Sequence, residues 1–331
     1  MTTIPVLGRG FLVRTPTLDD VKAAYELVHA CDMADDGMPD HTIEDFELAW
    51  QEPDFNLATD ALCVCTPEGQ MVGVADMGHR EHVKIYSFIR VHPDYRGQGI
   101  EEHLLQLTEA RAKQHIPEAV PHARVTVGSW VSRNDKGSAQ LFLREGYQYI
   151  RSHWRMQIDM DQAPQQVEWP AGLIVRTFSA GKEEHAVFEL MEEAFRDHWG
   201  HLPSTFERWA HWVFNPDSFD PSLWFLAFDG EKLAGGSLCR YEKDLQLGWV
   251  NQLAVLRPWR RKGLGMALLL HSFAEFYRRG IVNVGLGVDA QNLTGATRLY
   301  ERAGMHVALQ HDTYEKELRA GEELSTQSVT V

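Results

Sequence analysis

Cysteine is scarce in this chain: Cys31, Cys63, Cys65 and Cys239 are the four in 331 residues. None stands in a Cys-x-x-Cys spacing, so they read as reduced, mostly buried side chains of a cytoplasmic protein. No run of 18 apolar residues occurs, so no helical membrane span is expected. The opening Met1-Thr2-Thr3-Ile4-Pro5 lacks the charged and apolar regions of a signal peptide. Positive charge is in deficit as well. Lys and Arg number 32 against 47 Asp and Glu, a formal net charge of −15. That balance argues against a nucleic-acid surface, which needs clustered cations, and favours cationic amines as ligands. No Walker A sequence is present. His79-x-x-His82 and His198-x-x-His201 have no Cys or carboxylate partner in a zinc pattern, and no metal is expected.

What the chain does contain is a repeat. Gly10-Phe11-Leu12-Val13-Arg14-Thr15 returns as Gly172-Leu173-Ile174-Val175-Arg176-Thr177. Each copy is followed by two amphipathic helical stretches, 20–30 and 43–50 in the first half, 183–198 and 204–213 in the second. Strand pairs come next, turning at Pro67-Glu68-Gly69 and at Asp229-Gly230-Glu231. Each half then runs strand, glycine turn, helix, strand, helix, strand. This order predicts an α/β fold of two tandem domains, each a mixed, mostly antiparallel sheet flanked by helices. The expected boundaries are 1–160, a polar linker 161–170, 171–318, and a loose polar tail 319–331.

The glycine turn carries the chemistry. Val250 to Val255 reads as a strand, and Met266 to Arg279 as a helix. Between them lies Arg260-Arg261-Lys262-Gly263-Leu264-Gly265. A helix N-terminus leaves backbone N–H groups unpaired and adds partial positive charge. Glycines let an anion reach those groups, so the turn is predicted to cradle a phosphate. Gly285-Leu286-Gly287-Val288-Asp289-Ala290 matches a dinucleotide pattern, but the alternation of Val282, Val284, Leu286 and Val288 places its glycines inside a strand.

Strand followed by R-x-x-G-x-G resembles the acetyl-CoA signature of the GCN5-related N-acetyltransferase (GNAT) family. A downstream segment, Asn292 to Met305, resembles the family's second signature, with Leu299-Tyr300 and Gly304 in register. The resemblance implies acetyl-CoA as cosubstrate, with no metal. It assigns the pyrophosphate to the turn from Arg260 through Arg261, Lys262, Gly263, Leu264 and Gly265 to Met266. The pantetheine arm falls to Leu253, Val255 and Asn292. The backbone N–H near Leu253 would face the thioester oxygen, and Tyr300 would be the general acid. Tandem members of the mycothiol synthase type are expected to carry a glutamate early on the strand feeding the turn. Here Trp249, after Gly248, stands in that place. Glu242 and Asp244 could instead act through a water. Asp197, His198 and Trp199, at the end of a helix that tends to line the acceptor pocket, are candidates for amine recognition.

The first half carries a divergent copy, Arg96-Gly97-Gln98-Gly99-Ile100-Glu101. Glu101 would compete with a phosphate for the helix N-terminus. Phe142, which cannot donate a proton, aligns with Tyr300. Activity is therefore expected in the second half. The resulting expectation is acetyl transfer to the primary amine of a small molecule, by a monomer with pseudo-dimeric halves or a homodimer. A non-catalytic acyl-CoA-binding or regulatory protein, or acetylation of a protein N-terminus, is the alternative. Trp209, Trp212, Phe214, Trp224 and Phe225 are expected in the core.

Overall fold

The structure, a computed structural model, describes residues 10–215, 217–292 and 295–327. Leu293 and Thr294 of the second signature lie outside the described residues. The chain forms two compact units, Met1–Ser152 with Gln310–Leu324, and His153–Leu309 with Ser325–Val331.

The first unit begins with β1 (Leu12–Arg14), α1 (Val21–Asp35), α2 (Ile43–Trp50) and α3 (Leu57–Asp60). A meander follows: β2 (Ala61–Cys65), β3 (Met71–Arg80) and β4 (Lys84–Val91). Then come α4 (Ile100–Gln114), β5 (Val125–Ser132), α5 (Lys136–Arg144) and the start of β6 (Gln148–Asp159). Within the unit β1 to β4 are antiparallel neighbours, whereas β4 and β5 are parallel. Thr42 caps α2 in a reciprocal box with Asp45, which fixes its start at the residue expected.

The second unit continues β6 from His153 and then repeats the order. It holds β7 (Leu173–Thr177), α6 (Glu184–Phe195), α7 (Phe206–Val213), β8 (Trp224–Asp229) and β9 (Lys232–Glu242). β10 (Leu247–Val255), α8 (Leu264–Arg278), β11 (Asn283–Asp289), α9 (Ala296–Arg302) and the start of β12 (His306–Arg319) complete it. Strands β7 to β10 are antiparallel neighbours, and β10 pairs in parallel with β11. Each unit thus has one parallel pair in an otherwise antiparallel sheet, flanked by helices, as the element order predicted. The repeat extends to an ion pair, Arg14 with Asp20 and Arg176 with Glu183.

The unit boundaries differ from the expected ones. Residues 153–159 of β6 pair with β11 in the second unit, and residues 311–319 of β12 pair with β5 in the first. The chain's two halves therefore exchange their last strands. The expected loose tail also holds structure. Glu322 donates to His122 O and accepts from Arg124 N, both at 2.8 Å, in the first unit. Thr326 bridges Gly200 and His201 in the second.

The second unit's core has α8 on one face of its sheet, through Phe273 and Phe276. Gly248 is needed there, because a Cβ would lie 2.9 Å from the Phe276 ring. Trp209, Trp224 and Phe225 are buried as expected, the first two against α6. Among the described residues, no helix is long and apolar enough to cross a membrane.

Candidate active site

β10 pairs with β11 only at Gly248 and Trp249, and its remaining residues have no β11 partner in the register. A bulge between Val250 and Gln252 turns the strand at this point. Beyond it, alternate backbone groups face opposite edges. Leu256 N donates to Ala234 O of the β9 side at 3.0 Å. Residues of the other parity, Leu253 and Val255, therefore aim their N–H and C=O groups at the edge that β11 has left. An acyl-pantetheine arm needs such an edge, since it carries amides that pair as a strand does.

The edge leads into the glycine turn. Gly263 is the N-cap of α8, at φ 88°, a conformation that disfavours any side chain. A Cβ there would meet nothing within 4 Å, so the space in front of the helix N-terminus is open. Arg261 (φ 60°) and Lys262 are exposed beside it. The side chain of Leu264 is buried in the core and contributes only backbone. A Cβ on Gly265 would lie 3.3 Å from Leu299 and 3.7 Å from Val255, which places β10, the start of α8 and α9 side by side.

Arg260 departs from its expected role. Its guanidinium donates to Asp197 (2.8 Å), to Ala194 O (3.0 Å) and, through Nε, to Val255 O (2.9 Å). It braces the strand end and α6 and is not free for a pyrophosphate. Asp197 is equally committed: it is buried and also accepts from Arg257. Arg257, with Arg260 behind it, holds its carboxyl down to about 2. This is a structural ion pair and not an amine receptor. Of the other two acceptor-side candidates, the Trp199 indole donates to Gln327 at 2.8 Å, and the His198 ring lies edge-on to Phe195, where burial lowers its pKa.

A depressed carboxylate stabilises the fold above its unfolded value, and the effect is lost as pH falls through the folded value. Denaturation midpoints of the wild type should therefore drop between about pH 4 and pH 2. Asp197→Asn should be less stable at neutral pH and show a shallower drop. Parallel slopes in the two proteins would contradict the pairing.

Tyr300 is buried in the core cluster that Leu253, Met266 and Leu299 adjoin. Burial pushes its hydroxyl up to about 12, so it is a proton donor at any physiological pH. Asn292 closes a turn by donating its N–H to Asp289 O at 3.0 Å. Trp249, at the place where the resemblance implies a glutamate, lies over β11: a Cβ on Gly285 would be 2.9 Å from its ring. This accounts for Gly285 of the dinucleotide-like sequence, whose two glycines lie inside β11. Glu242 is buried and ion-paired with Arg240.

Known proteins resemble this chain. The Acetyltransferase (GNAT) family model matches residues 184–305, and an Acetyltransferase (GNAT) domain model matches 58–149. A crystal structure of a GCN5-related N-acetyltransferase from Sphaerobacter thermophilus is 37% identical, with TM-score 0.82, over 97% of this chain and 100% of that one.

The chain belongs to the GNAT family.

A mycothiol acetyltransferase of Thermobispora bispora is 31% identical over 65% of this chain and 70% of its own length. One from Salinispora arenicola is 26% identical over 92% and 96%. A tandem GNAT protein from the clavulanic acid biosynthesis pathway shares the fold (TM-score 0.71, 16% identity, 94% of this chain and 100% of that one).

The first GNAT unit has the same wedge, filled. β4 and β5 pair from Lys84 to Ser87 and then part. Arg96 braces Val91 O as Arg260 braces Val255 O, and pairs with Asp35. One residue before Val91 stands Arg90, where the second unit has Ala254. Its buried guanidinium donates to Ile89 O (2.9 Å) on β4 and to Trp130 O (3.3 Å) on β5, spanning the gap. Glu101 occupies the position of Gly265. Its Oε2 is buried without a hydrogen-bond partner at the start of α4, and burial raises its pKa. Asn134 donates to Asp36 at 2.8 Å. Phe142 is buried, stacked on Tyr314. Sequence reasoning found Glu101 and Phe142 but missed Arg90, whose only signal was a charge inside an apolar strand.

Proposed function

We propose that the protein is an acetyl-CoA-dependent N-acetyltransferase acting on the primary amine of a small molecule, with transfer in the second unit. The open edge of β10, running from Leu253 into the α8 N-terminus beside Tyr300, carries this reading. The first unit's equivalent edge is bridged by Arg90. Acetyl-CoA fits the donor set because the turn offers backbone N–H groups at Gly263, Gly265 and Met266, with exposed Arg261 and Lys262 alongside. Leu253 and the Val255 N–H offer strand-edge groups to an amide-bearing arm, the Val255 carbonyl being held by Arg260, and Asn292 flanks its end.

Bound there, acetyl-CoA supplies an activated thioester. The Leu253 N–H is positioned to stabilise negative charge on the thioester oxygen, an effect worth roughly 3–4 kcal/mol of barrier when water is excluded. As the amine nitrogen bonds to the carbonyl carbon, the C–S bond breaks and the Tyr300 hydroxyl gives its proton to the departing sulfur. The amine's surplus proton leaves to solvent, and solvent reprotonates Tyr300. No carboxylate takes the expected place on β10, so proton removal by water is part of the proposal. The relatives' names make acceptors related to mycothiol the first to try, within a wider amine panel.

Free-thiol release from acetyl-CoA tests this. Release should be saturable and dependent on one class of amine. Tight acetyl-CoA binding with no release across the panel would favour the non-catalytic reading.

A further inference from the structure

Three histidines in the first unit, far apart in sequence, form one cluster. His79 ends β3, His82 sits in the β3–β4 turn, and His115 follows α4 as its C-cap. Each offers a ring nitrogen, and the three nitrogens lie within 4.8 Å of one another. Nδ1 of His82 and Nδ1 of His115 are 2.8 Å apart, so one must donate and the other accept. The rings of His79 and His82 stack at 4.0 Å, and those of His79 and His115 lie 4.7 Å apart.

The turn that brings them together is strained. Val83 N donates to Arg80 O at 3.0 Å, closing a four-residue turn whose central residues, Glu81 and His82, have φ of 50° and 55°. Such a hairpin turn normally takes Asn-Gly or Gly-Gly. Side-chain-bearing residues are disfavoured in this left-handed region. Strain of this kind persists where the position serves a function.

We infer that His79, His82 and His115 form a binding site for a borderline divalent cation, of which zinc(II) is the best match. Neutral imidazole is the common ligand of such ions, at about 2.0–2.1 Å, and a tetrahedral ion would hold the nitrogens about 3.3 Å apart. The observed spread brackets that distance, and binding would turn the rings out of their stack so that their in-plane lone pairs converge. Zinc would replace the shared proton between His82 and His115. It would also compete for His79 Nδ1, which accepts a long 3.3 Å bond from His82 N. Asp60 is engaged by Arg111 at 2.7 Å and is not counted among the ligands. The ion would clip the β3–β4 turn to the end of α4.

Tag-free full-length protein should be titrated with zinc(II) by calorimetry, and with cobalt(II) for the visible bands of a tetrahedral site. One equivalent should bind and raise the melting temperature, since the folded state alone presents the site. His82→Ala should weaken binding by at least about tenfold and abolish the thermal shift. His79→Gln, outside the strained turn, should do the same and guards against a folding defect in the first variant. The inference fails if the wild type takes up no stoichiometric zinc. It also fails if either folded variant binds with wild-type affinity.

Discussion

Tyr300→Phe should lower kcat for acceptor-dependent thiol release by about 10²–10⁴-fold while leaving KM for acetyl-CoA nearly unchanged. The variant removes one oxygen from a ring buried among Leu253, Met266 and Leu299, so the packing survives and the proton does not. Burial pushes the hydroxyl up to about 12, which fixes the sign of the pH dependence. The competent form is the protonated one, and it persists below that value. Wild-type kcat should therefore show no alkaline decline assignable to this group across an ordinary assay range. Wild-type kcat in the phenylalanine variant would transfer the proton-donor role to water.

Gly265→Glu should raise KM for acetyl-CoA by at least about 100-fold, roughly 2.7 kcal/mol. The substitution installs in the second unit the residue that the first already carries, Glu101. Two unit charges about 4 Å apart near a protein surface repel by about 4 kcal/mol, so a glutamate against a pyrophosphate supplies the loss with margin. Gly265→Ala separates charge from bulk. Its Cβ would press on Leu299 at 3.3 Å, a contact that a flexible side chain can relieve, and its effect should be several-fold smaller. Equal KM values for the two variants would mean that volume, and not charge, governs the cradle. Binding stoichiometry checks the other half of the argument. Calorimetry on the intact wild type should find one acetyl-CoA per chain, because Arg90 and Glu101 occupy the first unit's site.

The fold was legible because both units write it in local patterns. Alternating strands and the repeated Leu/Ile-Val-Arg-Thr strand each act within a few residues. The glycine turn was legible for the same reason, since strand, turn and helix are contiguous. What sequence reasoning missed depends on distant partners. The cations before the turn look alike in sequence, yet Arg260 is consumed by Asp197, 63 residues away, while Arg261 and Lys262 face solvent. His115 has no motif of its own and meets His82 across 33 residues. The strand exchange left no signal, because β6 and β12 end equivalent halves and either could close either sheet by its alternation alone.

That exchange dictates an order of events during synthesis. Thr126 on β5 bonds to Glu315 on β12 across 189 residues of sequence. On a ribosome, which lengthens the chain by about 5–20 residues each second, the first unit waits with an unpaired β5 edge until nearly the whole chain has emerged. The strand segment that closes its sheet is made after every strand of the second unit. The protein should therefore refold slowly for its size, as contacts of long sequence separation require. A stop codon in the last few dozen residues would damage the beginning of the molecule more than its middle.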